Sequence, residues 1–347
     1  MENSTSAGML TVGIDIGDRW SRYCVLDGTG AVVEKDKLMT CQVGFEAEFA
    51  KRAPMRIAIE VGTHSPWASR VLKACGHEVI VANSRKLRFI FASHKKNDPI
   101  DAEMLARVAR MDAKLLSPVQ HRGGGAQVDL ASLRARDALV GARTKLVNHV
   151  RGAVKSFGGR LPKCSTESFP KAAKYIPKEL WPALSPLINT IGTLTTEIRK
   201  YDRDLEKVGE TKYPETNQLR QVNGVGPLTS LAFVLTIEDP KRFDDSRQVG
   251  AYLGLCPRQD QSGTIERQLG ITKVGDVDLR RLLVGCAQYT LGPFGKESNL
   301  RRWGLELAQR GGGRTRSGGQ SSQSRVSSRC SCIGSGSRES NTCRCGT

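Results

Sequence analysis

The sequence predicts an α/β domain of the ribonuclease H type over residues 9–118, followed by a mainly helical region. The stretch "LTVGIDIGDRWSRYCVLDGTGAVVEKDKL" has alternating apolar runs divided by turn residues, which predicts a meander of three antiparallel strands. "RIAIEVG" and "HEVIVAN" are short, nearly continuous apolar runs, as expected for strands buried on both faces. "SPWASRVLKACG" and "DPIDAEMLARVARMDA" have helical spacing and alternate with those strands.

A helical or coiled-coil arm is predicted over residues 126–212. "HRGGGAQ" breaks the chain, and "VDLASLRARDALVGARTKLVNHVRGAVKSFG" then carries an apolar stripe between arginines and lysines. After a proline-rich stretch, "LINTIGTLTTEIRKYDRDLEKVGE" has heptad-like spacing. Both segments fit a helical hairpin or a dimerising arm, although such a basic face is also typical of ordinary solvated surface.

The segment 213–310 is predicted to be a mainly α C-terminal domain. "VNGVGPLTS" resembles a helix-hairpin-helix, in which the turn around Gly224 and Gly226 would hold a DNA phosphate without reading bases. The alternative is a glycine-rich turn between packed helices. "GAYLGLCPRQDQSGTIERQLGITKVGDVDLRRLLVGCAQYTL" predicts a polar loop with a helix on each side, and Arg258 and Lys273 of this loop are predicted nucleic-acid contacts.

The chain is strongly basic, with 53 Lys and Arg against 35 Asp and Glu, a net charge of +18 and a pI near 9.7. Such an excess indicates a polyanionic partner, with nucleic acid first, although a basic solvated surface or a ribosome-associated protein has the same composition. No segment reaches the roughly 18 apolar residues of a membrane span. The N-terminus lacks the basic region of a signal peptide, so we expect a cytoplasmic protein with no membrane partner.

The tail, residues 311–347, differs from the rest of the chain. Its only aliphatic residues are Val326 and Ile333, so it cannot form a core and is predicted to be disordered. It contains four of the ten cysteines, as "CSC" and "CRC", which lack the usual C-x2-4-C zinc spacing. The other six cysteines are scattered singly in apolar contexts and are interpreted as reduced thiols.

Four carboxylates are candidate metal ligands. Asp15 lies in the first strand, Glu60 ends "RIAIE", and Asp98 and Asp101 are three residues apart at a helix start. Each has an ordinary structural reading, as a turn residue, a strand end, or a helix cap before Pro99. In a ribonuclease H fold, however, these positions converge, and four carboxylates there would bind two Mg²⁺ ions that act on a phosphate.

The nearest competing fold is that of actin and the sugar kinases, which also starts with "GIDIG" and a hairpin. That class requires a second, later D-x-G turn and a glycine-rich adenosine loop. Neither is convincing here, because "VNGVGP" lacks the preceding acidic turn.

The four acids in this order, followed by "GVGPLTS", "YLGLCPRQDQSG" and "GDVDLRRLL", resemble the DEDD transposases of the insertion-sequence family numbered one-ten, also called bridge recombinases. The resemblance covers about residues 10–310. It implies a RuvC-like N-terminal domain, similar to a Holliday-junction resolvase, which uses Asp15, Glu60, Asp98 and Asp101 with Mg²⁺.

The resemblance also implies a serine that attacks DNA to form a covalent phosphoserine link, and by motif match this is Ser262 in "QDQSG". It implies a non-coding guide RNA that pairs with donor and target DNA. It further implies a tetramer of two dimers, with the acids of one protomer near the serine of another, acting at the nucleoid. From the residues alone, Ser262 would be interpreted as a turn residue.

Two further readings remain open: a metal-dependent junction nuclease that uses water, and a non-catalytic nucleic-acid-binding protein. The sequence also departs from the family after "GGGR", where a basic Ala/Val/Leu-rich helix is expected and the Ser/Gly/Arg/Cys tail stands instead. Our hypothesis is out-of-frame translation after about Arg314 and a decayed, less active copy. A shifted reading frame that encodes no such helix would contradict it.

Overall fold

A computed structural model describes residues 8–83, 98–262 and 265–310. The chain forms two compact units, with the boundary between Arg122 and Gly123. The predicted tail, 311–347, lies outside the described residues. The further division into an arm, 126–212, and a C-terminal domain, 213–310, remains a prediction.

The N-terminal unit is built on a five-stranded sheet with the order β3-β2-β1-β4-β5. β1, β2 and β3 form an antiparallel meander, and β4 and β5 run parallel to β1. This mixed sheet confirms the predicted α/β class of the N-terminal unit. The strands are β1 (Thr11–Asp15), β2 (Trp20–Leu26), β3 (Val32–Met39), β4 (Arg56–Glu60) and β5 (Glu78–Ala82).

Helices cover both faces of this sheet. Helices α1 (Gln42–Phe49) and α2 (Ser65–Ala74) pack on one face, where Phe45, Phe49 and Leu72 are fully buried. Helix α3 (Asp98–Met111) packs on the other face through Ala102 and Ala106. β4 and β5 are covered on both faces, which explains their near-continuous apolar sequence.

Gly13 lets α3 approach β1 more closely than a side chain would allow. A Cβ at Gly13 would overlap the carbonyl oxygen of Ala102 and the backbone nitrogen of Ala106. At the other end of α3, the Arg110 guanidinium donates a hydrogen bond of 2.6 Å to the carbonyl oxygen of Gly28, in the β2–β3 turn. That turn lies at the Thr11 end of β1, because Thr11 pairs with Leu26. Helix α3 therefore runs antiparallel to β1 and begins at the Asp15 end.

A polar network joins β2, β3 and α1 at the margin of the core. Arg52 donates two hydrogen bonds of 2.7 Å to the Glu34 carboxylate and also contacts Glu48. The Tyr23 hydroxyl shares its single hydrogen between Glu34 at 2.6 Å and Glu48 at 2.9 Å. The hydrogen bonds from Arg52, aided by the one from Tyr23, lower the pKa of Glu34 to about 2.

The stabilisation from Glu34 should disappear in acid. Its pKa in the folded protein is below the ordinary value of 4.5, so its contribution is present above pH 4.5 and is lost as the pH falls toward 2. The free energy of unfolding, measured with urea, should fall between pH 7 and pH 3. This fall should be smaller in Glu34→Gln than in the wild type, by about 1 kcal/mol after allowance for solvent screening. Glu46→Gln, an exposed α1 carboxylate outside the network, should behave as wild type. Equal losses in all three proteins would contradict this prediction.

The C-terminal unit starts with two long helices, α4 (Gly124–Ser156) and α5 (Trp181–Lys212). They are antiparallel, because Asp129 contacts Lys212 at one end and Arg143 contacts Thr195 farther along. One end has its own core, which includes Val150, Phe169 and Ile191. At the other end, α4 and α5 join the core of the following helices.

Both long helices begin earlier than predicted. We expected "HRGGGAQ" to separate two elements, but α4 already starts at Gly124, within the glycine run. Helix α5 starts at Trp181, upstream of Pro186. Pro182 is tolerated at the start of α5 because the first backbone N–H groups of a helix have no intrahelical acceptor, whereas Pro186 lies inside the helix.

The rest of this unit is mainly helical, as predicted, but it also contains a two-stranded antiparallel sheet, β6 (Pro257–Ser262) and β7 (Ile265–Ile271). The expectation of a polar loop here was wrong, because pairing with β7 satisfies the backbone of "PRQDQS" despite its polar side chains. The helices are α6 (Thr216–Arg220), α7 (Pro227–Ile237), α8 (Ser246–Tyr252), α9 (Val277–Leu291) and α10 (Asn299–Arg310).

Candidate active site

Two of the four predicted acids lie side by side at one edge of the sheet. β1 and β4 are adjacent and parallel, with Ile14 opposite Ile59, so Asp15 and Glu60 follow at the same carboxyl edge. Both line a cavity of about 360 Å³, together with Asp18 and His64. Carboxylate oxygens are the ligands that Mg²⁺ prefers, so the donor chemistry of this cavity fits that ion.

The other two acids belong to the first turn of α3, which begins at this same edge. Asp101 is partly buried and directly precedes Ala102, the residue that touches Gly13. It is not among the residues that line the cavity. The side chain of Asp98 lies outside the described part of the chain. Within that part, no group of three or more His, Cys, Asp or Glu side chains is arranged to hold a metal ion.

The loop after β4 supplies cavity residues that the sequence did not indicate. The Nδ1 atom of His64 accepts a 3.2 Å hydrogen bond from the indole N–H of Trp67, which leaves the Nε2–H tautomer in the neutral ring. Nε2 lies 3.7 Å from a carboxylate oxygen of Asp18. The Nε2–H of His64 is therefore on the side of the ring that faces Asp18.

A serine–histidine pair fixes this loop. The buried Ser65 hydroxyl donates to the carbonyl oxygen of Gly62 at 2.8 Å and accepts from the Gly62 N–H at 2.9 Å. Its oxygen is also 2.8 Å from Nε2 of His121, which must then be the donor. Burial, and secondly the nearby Arg70, lower the pKa of His121 and favour its neutral form. The pair thus holds the cavity wall in place without an ionic charge.

The predicted nucleophile, Ser262, belongs to the other compact unit. It is the last residue of β6 and its backbone pairs with Ile265, but its side chain lies outside the described residues. Arg258 belongs to β6, Lys273 follows β7, and both are exposed. Lys273 adopts a left-handed conformation with φ 57°, and its N–H donates to Gly254.

The glycine turn before α7 has two different glycines. Gly224 has φ +94°, and a Cβ there would lie 2.6 Å from Oγ1 of Thr290, so packing against α9 already requires glycine. Gly226 caps α7, and a Cβ there would meet no atom within 4 Å. The position of a Cβ is therefore open at Gly226 and is filled by α9 at Gly224.

In the described part of the chain, no helix is long and apolar enough to cross a membrane. The six cysteines outside the tail are free thiols, as predicted.

Comparisons with known proteins agree on one family. The transposase model DEDD_Tnp_IS110 matches residues 12–158, and the model described as "Transposase IS116/IS110/IS902 family" matches residues 216–299. The first model thus spans β1, β4 and α3, which carry the four acids, and the second spans the hairpin with Ser262.

Curated relatives cover much of the chain. The transposase for insertion sequence element IS1328 of Yersinia enterocolitica is 30% identical over 80% of this chain and 82% of the relative. A probable family 20 transposase of Pseudomonas aeruginosa is 28% identical over 86% of this chain and 89% of the relative. The transposase for IS1111A of Coxiella burnetii is 31% identical over 58% of this chain and 56% of the relative. The chain therefore belongs to the IS116/IS110/IS902 family of insertion-sequence transposases, which are enzymes that act on DNA.

Proposed function

We propose that this transposase cuts and rejoins DNA through a serine–DNA intermediate, with Asp15, Glu60, Asp98 and Asp101 as an Mg²⁺-binding set and Ser262 as the nucleophile. The observation that carries the proposal is the shared cavity of Asp15 and Glu60 at the edge where α3 begins. Bound Mg²⁺ would stabilise negative charge on the reacting phosphate.

The protein's own residues account for the rest of the chemistry. The Ser262 hydroxyl gives up its proton, its oxygen forms a bond to phosphorus, and the bond to the leaving deoxyribose oxygen breaks as that oxygen takes a proton. Attack by a second DNA hydroxyl reverses these steps and releases Ser262. One phosphoester replaces another each time, so no energy source is consumed.

We further propose that the site is composite. The acids and Ser262 belong to different compact units, so acids of one protomer can act with the serine of another in a dimer or tetramer. The long helices α4 and α5 are the proposed dimerising arm. Gly226 at the start of α7, with Gly224, Arg258 and Lys273, is proposed to contact the nucleic-acid backbone.

A guide RNA is proposed to select the donor and target DNA. The net charge of +18 supports a large nucleic-acid partner but gives no base preference. In RNA-guided systems, base pairing with the guide recognises the DNA sequence, and the protein recognises the geometry and backbone of the duplex. We propose that the complex acts at the nucleoid.

A second candidate function is an Mg²⁺-dependent junction nuclease that uses water. It is favoured by the location of the acid cavity in a compact unit that does not contain Ser262. In that case the cavity alone would catalyse hydrolysis, and Ser262 would have no role.

The deciding experiment is a cleavage assay with supercoiled donor plasmid, Mg²⁺ and the RNA transcribed from the element's flanks. Reactions stopped with detergent should contain protein-linked DNA, and EDTA or Asp101→Asn should remove it. Nicked DNA without an adduct would indicate the nuclease. RNA binding without either product would indicate a nucleic-acid-binding protein or an inactive copy, and restoring the C-terminal reading frame would separate these two.

A further inference from the structure

The sheet face that carries Asp15 continues onto β2 and β3 as an exposed row. Residues directly opposite each other in antiparallel strands point to the same face. Asp15 is opposite Arg22, and Arg22 is opposite Lys37. Since adjacent strands are about 4.8 Å apart, Arg22 lies one strand and Lys37 two strands from the acid, about 10 Å in all.

The next cross-strand pair on this face adds two exposed apolar side chains to the basic row. Trp20 is opposite Met39, and their side chains are 52% and 56% exposed. The Lys37 ammonium lies 5.0 Å from the centre of the Trp20 ring, in a cation–π contact. We call Trp20, Arg22, Lys37 and Met39 the β2–β3 strip.

Helix α3 limits this strip on one side. Cys24, two residues beyond Arg22, is buried beneath Ala102 and Ala106 of α3. Lys35, opposite Cys24, forms an ion pair of 2.6 Å with Glu103 on α3. Lys35 is thus neutralised within the protein. Among the described residues, the side chains of Arg22 and Lys37 form no ion pair with an acid, and Lys37 contacts the Trp20 ring.

We propose that the β2–β3 strip holds the DNA strand whose phosphate enters the acidic cavity. Arg22 and Lys37 contact its phosphates, and an unpaired base stacks on Trp20 beside Met39. This inference rests on the proposed role of Asp15 and Glu60 as the acidic site.

The chemistry of the strip fits a single nucleic-acid strand. Basic side chains that follow a phosphate backbone, next to an exposed aromatic ring that stacks bases, are the features of strand-binding surfaces. A row of about 10 Å corresponds to about three nucleotides of a stacked strand. Arg22 also offsets the repulsion between Asp15 and a DNA phosphate, because it lies on the neighbouring strand. The position beside acids that act on DNA selects DNA over guide RNA as the occupant.

The test measures binding in the absence of cleavage. The full-length chain in EDTA is titrated into fluorescein-labelled oligodeoxythymidylate of 20 nucleotides, and anisotropy gives Kd over a range of salt concentrations. Trp20→Ala should weaken binding about tenfold, whereas Trp20→Phe, which keeps a stacking ring, should stay close to wild type. Lys37→Glu should weaken binding and reduce the salt slope by about 0.7.

Lys51→Glu is the matched control. It makes the same charge change at an exposed lysine two residues after the end of α1, on the opposite face of the sheet, and should bind as wild type. Equal weakening by Lys51→Glu and Lys37→Glu, or wild-type binding by Trp20→Ala, would overturn the proposal. So would strip variants that lose oligouridylate binding but keep oligodeoxythymidylate binding, since the strip would then hold RNA.

The outcome is separable from that of the cleavage assay. If no adduct forms but Trp20→Ala and Lys37→Glu lose strand binding, the serine mechanism fails and the docking surface stands. If adducts form but these variants bind normally, the docking surface fails and the mechanism stands.

Discussion

Asp15→Asn is expected to reduce the rate of DNA cleavage by at least about 10²–10³-fold, the loss typical of removing one group that stabilises charge in the transition state. The amide keeps the size of the carboxylate but removes its charge, so the proposed binding of Mg²⁺ in the cavity shared with Glu60 should weaken. The measurement is the single-turnover rate of donor-plasmid cleavage at saturating Mg²⁺. Calorimetric titration with Mg²⁺ should show weaker binding in parallel.

Asp36→Asn is the matched control for this change. Asp36 is an exposed aspartate in the same unit, and it pairs with Tyr23, so it points to the sheet face opposite to that of Arg22 and Asp15. It should cleave at the wild-type rate, and both variants should melt at the wild-type temperature. Undiminished cleavage by a folded Asp15→Asn protein would refute the acidic site.

Ser262→Ala is expected to abolish protein-linked DNA, with a loss of at least about 10³-fold in strand rejoining. The substitution removes the oxygen that is proposed to bond to phosphorus, and no other group replaces a covalent nucleophile. Strand binding in EDTA should remain at the wild-type level, because the substitution leaves the β2–β3 strip intact. Detergent-stopped reactions resolved by mass provide the measurement.

Ser246→Ala serves as the companion control, since Ser246 is an exposed serine of the same unit at the start of α8. It should form adducts as the wild type does. Adducts formed by Ser262→Ala would show that another residue is the nucleophile. DNA nicked by the wild type without any adduct would favour the water-using nuclease.

Much of the N-terminal fold was predictable because its signals are local. The alternation in β1 to β3, the continuous apolar runs of β4 and β5, and the helical spacing of α3 each lie within one segment. Trp20 stands among the polar residues that divide the first two apolar runs, but it begins β2, because its pairing with Met39 is a long-range contact. The β6–β7 hairpin was missed for a related reason, since its stability comes from cross-strand pairing and not from apolar side chains.

The candidate site was predictable only in part. The order of Asp15, Glu60, Asp98 and Asp101 indicated a shared edge, and the structure brings Asp15 and Glu60 into one cavity. The cavity wall was not foreseen, because His121 reaches Ser65 across 56 residues of sequence. The one available signal was the position of "VGTHSPW" directly after a parallel strand, where sheet proteins place ligand-binding loops.

The strand order has a consequence for how the protein handles its substrate. β1 and β4 each have hydrogen-bonded neighbours on both sides and fully buried residues, whereas β3 is an edge strand with mostly exposed ones. Amide hydrogen exchange should therefore be slowest beside Asp15 and Glu60 and fastest along Val32–Met39. Asp15 and Glu60 therefore lie on interior strands that should unfold locally least often, whereas Lys37 and Met39 lie on an edge strand that should unfold locally more often. If the β2–β3 strip holds a DNA strand as proposed, β3 can adjust to strands of different sequence while Asp15 and Glu60 keep their positions.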